Sequence, residues 1–119
     1  MFEYHLWAVV TADGGLEADG ALLDALRSRI AGLSEAVRES FHVTTLNETH
    51  VVATGLRNRR EWEVEDTFRW IAEHSHSGYG LLYLRSEYPD ADGQTHFRVQ
   101  RMSLGRIEEL EDRYLEGLA

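Results

Sequence analysis

The sequence contains no cysteine and no lysine, and it has only one proline. Without cysteine the chain can form no disulfide, no thiolate nucleophile and no cysteine-ligated metal site. No apolar run approaches the roughly 18–20 residues that a membrane-spanning helix needs. Residues 1–5 lack the basic region that opens a secretory signal, so the cytoplasm is the expected compartment.

The charge balance is strongly acidic. All 12 basic residues are arginine, and 21 acidic residues bring the formal net charge to −9. This excess argues against a nucleic acid or an anionic membrane as the partner, because both require basic residues that neutralise phosphates. It is compatible with a basic protein partner, and also with a need for solubility alone. Both interpretations stay open at this point.

Alternating and helical patterns of apolar residues predict five strands and two helices in the order β-α-β-β-α-β-β. The predicted strands span residues 4–11, 41–46, 49–56, 79–85 and 97–102. This order is typical of a ferredoxin-like α+β fold, and residues 1–119 are expected to form a single domain. Right-handed crossovers then predict the antiparallel sheet order 5-4-1-3-2, with both helices on one face.

The first helix is predicted from the spacing of six apolar residues, which are Leu22, Leu23, Leu26, Ile30, Leu33 and Val37. Asp19 is the predicted N-cap of this helix. Gly32 weakens the helix interior, so the sequence allows either a continuous helix or a break there.

Three histidines raise the question of a metal site. His74 and His76 follow the second helix, and His96 precedes the fifth strand. A zinc site requires three or four ligands held by the fold, and neither a His-Glu-x-x-His motif nor a carboxylate at short spacing completes a set here. Solvated loop histidines are the better interpretation, and no metal or cofactor is expected.

Alternation along the strands predicts a second group of histidines. If Leu6 and Ala8 of the first strand face the helices, then His5, Trp7 and Val9 face the open side of the sheet. The same alternation places four residues of the next two strands there, namely His42, Thr44, His50 and Thr54. Such a face is either a binding surface that responds to pH, or a partly covered sheet face with amphipathic residues.

Motifs of catalysis are missing from the sequence. It contains no Gly-x-Ser-x-Gly nucleophile elbow, no P-loop and no Gly-x-Gly-x-x-Gly turn. The glycine-rich segment Ser77-Gly78-Tyr79-Gly80 leads into a strand, so no helix N-terminus follows it to bind a phosphate. No catalytic residue and no enzymatic activity are expected.

The second helix, predicted over residues 61–74, has two distinct sides. At about 100° per residue, Val64, Phe68 and Ile71 form the buried side. The opposite side carries Trp62, Asp66, Arg69 and Glu73. An exposed tryptophan among acids is a candidate interface anchor, because aromatic residues dominate binding hot spots. Alternatively, Trp62 lies in the first turn of the helix and folds back onto the preceding loop.

Several segments resemble a known family. Phe2-Glu3-Tyr4-His5-Leu6-Trp7 is similar to the Glu-Tyr-His-Gly-Trp start of the immunity protein 7 family of bacterial polymorphic toxin systems. Ser77-Gly78-Tyr79-Gly80-Leu81-Leu82-Tyr83 resembles that family's Gly-Leu-Leu-Tyr strand, and Gly55-Leu56-Arg57-Asn58-Arg59 resembles its Gly-Leu-x-Asn-x segment. Phe97-Arg98-Val99, Gly105-Arg106 and Glu111-Asp112-Arg113-Tyr114-Leu115 are similar to its C-terminal pattern.

The resemblance implies a small cytoplasmic antitoxin that binds a cognate toxin domain and occludes it. In such a complex carboxylates meet a basic toxin surface and speed the encounter, while aromatic anchors supply affinity. The anchor candidates are Trp7 and Trp62. The acidic candidates are Glu65, Asp66, Glu73, Glu87, Asp90, Asp92, Glu108, Glu109, Glu111 and Asp112.

An alternative function from a different class is a small-molecule-binding or enzymatic ferredoxin-like domain. It uses the open sheet face, with His5, His42 and His50. A concave pocket with convergent polar groups favours this alternative, whereas a flat acidic surface favours the antitoxin. The chain is expected to be a monomer or a weak homodimer.

Overall fold

The computed structural model describes residues 1–86 and 96–115, which form six strands and three helices. In chain order these elements are β1 Phe2–Val10, α1 Leu16–Ala31, α2 Glu35–Ser40, β2 Phe41–Leu46, β3 Glu48–Arg57, α3 Trp62–His74, β4 Tyr79–Ser86, β5 Arg98–Ser103 and β6 Arg106–Glu111. No helix within the described ranges is long and apolar enough to cross a membrane.

The strands form one antiparallel sheet with the order β2-β3-β1-β4-β5-β6. The predicted α+β class and the predicted neighbours of the first five strands are confirmed. The predicted count of five strands and two helices is wrong, because the described residues form six strands and three helices.

Alternation along β1 decides which sheet face becomes the core. Tyr4 and Leu6 are buried on the face that the helices cover. Each helix contributes side chains to the same core, for example Leu26 of α1, Val37 of α2 and Phe68 of α3. All three helices therefore lie on one side of the sheet, as the sequence predicts for its helices.

The start and the end of the first helix differ in how well the sequence predicts them. The helical segment breaks at Gly32, which is the position where the sequence allows a break, and α2 follows as a separate helix. The predicted N-cap is wrong, because α1 begins at Leu16 after Gly15. Asp19 instead accepts a hydrogen bond from the Ala12 amide at 2.7 Å. It thereby ties α1 to the end of β1.

The strand β6 is the element that the sequence does not reveal. A two-residue turn joins it to β5, and Leu104 and Gly105 in this turn have positive φ values of 53° and 75°. This backbone matches the twist of a tight hairpin. Leucine is an unusual residue at the first position, and four of the six residues of β6 are charged. The patterns that indicate a turn and a strand are therefore both weak.

Candidate functional site

One face of the sheet is left free by the three helices, and we call it the open face. Cross-strand partners lie on the same face, so the registers of the strand pairs define it. From β2 to β6 it consists of His42, Thr44, Leu46, Glu48, His50, Val52, Thr54, Leu56, Glu3, His5, Trp7, Val9, Tyr79, Leu81, Tyr83, Arg85, Val99, Arg101, Ser103, Arg106, Glu108 and Leu110. All seven residues that alternation predicts on this side are among them.

The centre of the open face is aromatic and partly exposed. Trp7 lies on β1, and its direct cross-strand neighbours are Val52 on β3 and Leu81 on β4. These three side chains and Tyr79 are between 37% and 48% exposed, and we call the four residues the Trp7 patch. Of the eleven large apolar side chains that are exposed in the described ranges, seven lie on the open face. Such a concentration makes the open face the candidate interaction surface.

Ring contacts on both sides hold the indole of Trp7 in place. Its centroid lies 5.7 Å from that of Tyr79 and 6.1 Å from that of His50, with an interplanar angle of 64° in each pair. A shallow groove of about 310 Å³ runs beside the indole and is lined by Trp7, Tyr79, Gly80, Leu81, Arg101, Met102 and Ser103. The groove is open to solvent, whereas small-molecule sites enclose most of their ligand.

A charged network lies at one end of the open face. Arg85 donates hydrogen bonds from Nε at 3.0 Å and from Nη2 at 2.7 Å to Oε1 of Glu3. The other oxygen of this carboxylate lies 2.6 Å from Nε2 of His5. The hydrogen bond with His5, together with the bonds and charge of Arg85, lowers the pKa of Glu3 against an opposing effect of desolvation. The network therefore holds Glu3 in its charged form.

Tyr83 lies beside this network, where the chain after β6 approaches the open face. Its ring meets that of Phe97 edge-on at a centroid distance of 5.9 Å. Burial, with smaller effects of Asp112 and Tyr114, raises the pKa of the Tyr83 phenol. Phe97 itself is buried. This end of the open face is consequently less accessible than the Trp7 patch.

The histidines of the open face do not converge on one point. His5 is bonded to Glu3, His50 lies 3.4 Å from the Glu48 carboxylate, and His42 is exposed on the edge strand β2. None of the three lines the groove beside the indole. Within residues 1–86 and 96–115, no group of three or more His, Cys, Asp and Glu side chains is placed to hold a metal ion. Among the described residues, the open face therefore has no cluster of convergent polar groups of the kind that favours a small-molecule site.

Trp62 projects from the first turn of α3 and is 61% exposed. The guanidinium of Arg60 lies over its ring, 4.0 Å from the centroid. The indole is therefore exposed, as an interface anchor requires, and the side chain of Arg60 from the preceding loop covers one of its faces. Asp66 and Glu73 are exposed on the same helix, and Asp66 pairs with Arg69 at 2.9 Å.

Glu65 and Glu108 are acidic candidates whose carboxylates accept hydrogen bonds from other side chains of the protein. Glu65 is 6% exposed and accepts hydrogen bonds from Arg60 at 2.6 Å and from Gln100 at 3.4 Å. Glu108 lies on the open face and accepts a hydrogen bond from Arg101 at 3.1 Å. The position of Glu65, three residues before the buried Phe68 on α3, is a signal of burial that was available in the sequence.

The remaining acidic candidates are divided among several places. Glu109 and Glu111 are exposed on the side of β6 that faces away from the open face. Asp112 accepts hydrogen bonds from the backbone amides of two residues that follow it. The candidates of the proline-containing loop lie outside the described residues, and these are Glu87, Asp90 and Asp92. The acids that the structure describes therefore do not form one continuous surface.

The open face is also balanced in charge. Its acids are Glu3, Glu48 and Glu108, and its arginines are Arg85, Arg101 and Arg106, which gives three of each sign. Among the residues that the structure describes, the acidic excess consequently lies outside this face. The sequence predicts Trp7 here but misses Tyr79 and Leu81, because the fourth strand is mostly apolar and its alternation is hard to detect. The alternating pattern Tyr79-x-Leu81-x-Tyr83 is the feature of the sequence that indicates which residues of this strand share the face of Trp7.

The open face combines exposed aromatic residues with a shallow groove, and aromatic residues are enriched in protein interfaces. The family model described as Immunity protein 7 matches residues 1–119, so the chain belongs to this family. The resemblance found in the sequence is thereby confirmed. Membership makes the protein an immunity protein, whose implied partner is a protein toxin. Comparisons with curated proteins and with solved structures give no significant match.

Proposed function

We propose that the protein binds a cognate toxin domain of a bacterial polymorphic toxin system in the cytoplasm and inhibits it by occlusion. Family membership supports the class of partner, and the Trp7 patch offers a surface for it. Occlusion requires no catalysis by the immunity protein, because a bound protein excludes the substrate of the toxin sterically. The protein acts without a cofactor, as a monomer or a weak homodimer.

The observation that carries the proposal is the exposure of Trp7 at the centre of the open face. A tryptophan with apolar neighbours and a polar rim has the anatomy of an interface hot spot. Val52 and Leu81 flank the indole, so a partner that covers all three excludes water on both sides. Truncation of a desolvated tryptophan anchor typically costs about 2 kcal/mol or more of binding free energy.

The acidic surfaces off the open face act on the rate of association with a basic toxin. The exposed ones in the described ranges are Asp66, Glu73, Glu109 and Glu111. We propose the same effect on the association rate for Glu87, Asp90 and Asp92. Exposed charges are screened beyond about 8–10 Å at physiological salt, so they steer the encounter more than they strengthen the complex.

Trp62 is the second anchor candidate, on the outer side of α3. Because Arg60 already covers one face of its indole, a partner buries less new area there than at Trp7. We therefore assign the main contact to the Trp7 patch and a secondary contact to Trp62.

Coexpression with the toxin domain encoded beside this gene tests the proposal. We expect the protein to restore growth of a bacterial host that produces the toxin. We also expect the purified components to elute as one complex in size-exclusion chromatography. Protection of the host without a complex, or a complex in which the toxin remains fully active, contradicts occlusion.

Stopped-flow association at two salt concentrations tests the role of the acids. Asp90→Lys combined with Asp92→Lys should slow association and flatten its dependence on salt, with folding unchanged. Glu17→Lys combined with Asp24→Lys, at exposed positions of α1, is a control with the same net charge. An equal effect of both pairs would show that only the total charge matters.

A further inference from the structure

The two edges of the sheet differ in how they are protected against further pairing. β2 and β6 form these edges, and in the described part of the chain each is paired on one side. Four of the six residues of β6 are charged, which discourages the approach of another strand. β2 has the sequence FHVTTL, with no aspartate, glutamate, lysine or arginine. It therefore presents backbone N–H and C=O groups that an additional strand can use.

A groove lies alongside β2 on the side of the helices. Its volume is about 330 Å³, and it is lined by Arg27, Ile30, Ala31, Arg38, Phe41 and Val43. Phe41 and Val43 are the residues of β2 that point to the helix side. In a strand added to β2, the side chains that point the same way enter this groove. Sheet extension supplies main-chain hydrogen bonds, and a groove beside it selects the alternate side chains.

The groove combines an apolar floor with a basic rim. Ile30 and Phe41 are buried, whereas Arg27 and Arg38 are exposed. Arg38 donates a hydrogen bond to the carbonyl oxygen of Leu33 at 3.4 Å, and neither arginine has an acidic partner among the residues that the structure describes. In a chain of net charge −9, these two arginines complement a segment that carries carboxylates.

We propose that the toxin contributes an extended segment that pairs with β2 as an additional strand, with apolar and acidic side chains directed into the groove. The inference rests on the proposed toxin binding and adds a second contact to the Trp7 patch. The added strand adjoins the open face, because Trp7 pairs with Val52 and Val52 pairs with His42 across β1, β3 and β2, whereas the groove lies on the opposite face of the sheet. The inference requires acidic side chains only in this segment, so it is compatible with a toxin that is basic as a whole.

A second copy of this chain fits the edge less well. Two copies of net charge −9 repel each other. Pairing of β2 with the β2 strand of another copy also brings no carboxylate from that strand to the basic rim, because β2 has none. The charge of the groove therefore favours a strand from the toxin.

Residue-resolved amide hydrogen exchange of the complex with the toxin domain encoded beside this gene tests strand addition. We expect every second amide of residues 41–46 to exchange about tenfold or more slowly in the complex, because pairing engages only the groups that point outward. The amides of β6, at the other edge, are the internal control and should keep their rates. If the Trp7 patch is protected while the amides of β2 are unchanged, the inference is wrong and the proposed function stands.

Charge reversal tests the chemistry of the groove. Arg27→Glu combined with Arg38→Glu should weaken the complex by about tenfold or more, since acidic side chains then meet like charge. Arg59→Glu combined with Arg113→Glu is the matched control, because both residues are exposed, lie outside the groove and change the net charge equally. Equal weakening by the two pairs contradicts the inference.

Two further outcomes bear on the inference and on the proposed function. If the protein alone forms a dimer in which the amides of β2 are protected from exchange, the edge binds a second copy and the inference is wrong. A complete lack of binding between the wild-type protein and the toxin overturns the proposed function and the inference together.

Discussion

Arg85 and Glu3 face each other across β4 and β1, and both guanidinium hydrogen bonds end on the same carboxylate oxygen. His5 occupies the second oxygen of Glu3 at 2.6 Å. The side chain of Glu3 is 17% exposed, so water shields these charges only in part. The contact joins the two strands that carry Trp7 and Leu81. It therefore helps to hold the Trp7 patch in a fixed geometry.

Glu3→Gln should lower the free energy of unfolding by about 1–2 kcal/mol at neutral pH, because a charged acceptor with two partners is lost. The pKa of Glu3 is lowered in the folded protein from 4.5, so its contribution is present above about pH 4.5 and is lost as the pH falls through the folded pKa. The difference between wild type and variant should therefore shrink in acid. Urea unfolding between pH 7 and pH 3 measures this difference.

The control for this prediction is Glu48→Gln on the same face. Glu48 is exposed and its carboxylate lies 3.4 Å from His50, so the substitution should change stability by less than about 0.5 kcal/mol at neutral pH. A difference for Glu3→Gln that stays constant into acid contradicts the assigned role of the carboxylate.

Glu65→Ala should reduce the free energy of unfolding by about 1–3 kcal/mol, because it removes the buried acceptor of Arg60 and Gln100. The neighbouring Asp66→Ala is the matched control. The ion pair of Asp66 with Arg69 is exposed, so its loss should cost less than about 1 kcal/mol. Denaturant unfolding compares the two variants. Equal losses would show that Glu65 is not an interior structural group.

Gly80→Ala should destabilise the protein by about 1–3 kcal/mol. A methyl group at Gly80 collides with backbone atoms of Trp7 and Ala8, so β1 and β4 have to move apart. Gly20→Ala is the contrasting variant, since nothing lies within 4 Å of the added methyl group on α1. It should stabilise the protein by about 0.5–1 kcal/mol through helix propensity. In thermal unfolding, the two Tm values should move in opposite directions, and a shift in the same direction contradicts the packing described here.

Strand alternation is a local property, which explains why the sequence predicts most of the sheet. The period of two in β1 separates Leu6 from Trp7, and the same period places His42 and His50 on the face of Trp7. In β6, charged residues occupy both faces of the strand, so no alternation is visible. Its pairing with β5 depends on the turn at Gly105, which a leucine precedes.

The candidate site is predictable only where it depends on local pattern. Trp7 follows from alternation, but the exposure of Tyr79 and Leu81 depends on where the other strands and the chain after β6 lie. Glu65 resembles its neighbour Asp66 in sequence, yet tertiary contacts with Arg60 and Gln100 make it an interior residue. Its spacing to Phe68 indicates burial, but the contact with Gln100, 35 residues away along the chain, is not contained in any local pattern.

The dissociation rate of the Trp7→Ala variant from the toxin domain tests most directly whether the Trp7 patch is the interface. Circular dichroism should first show that this variant and Trp62→Ala are folded. Trp7→Ala should then dissociate about 30-fold faster than wild type, which corresponds to about 2 kcal/mol, with little change in the association rate. Trp62→Ala should show a smaller increase. If Trp7→Ala dissociates like wild type and protects cells from the toxin equally well, the open face is not the interface, and a loss confined to Trp62→Ala would place the contact on α3.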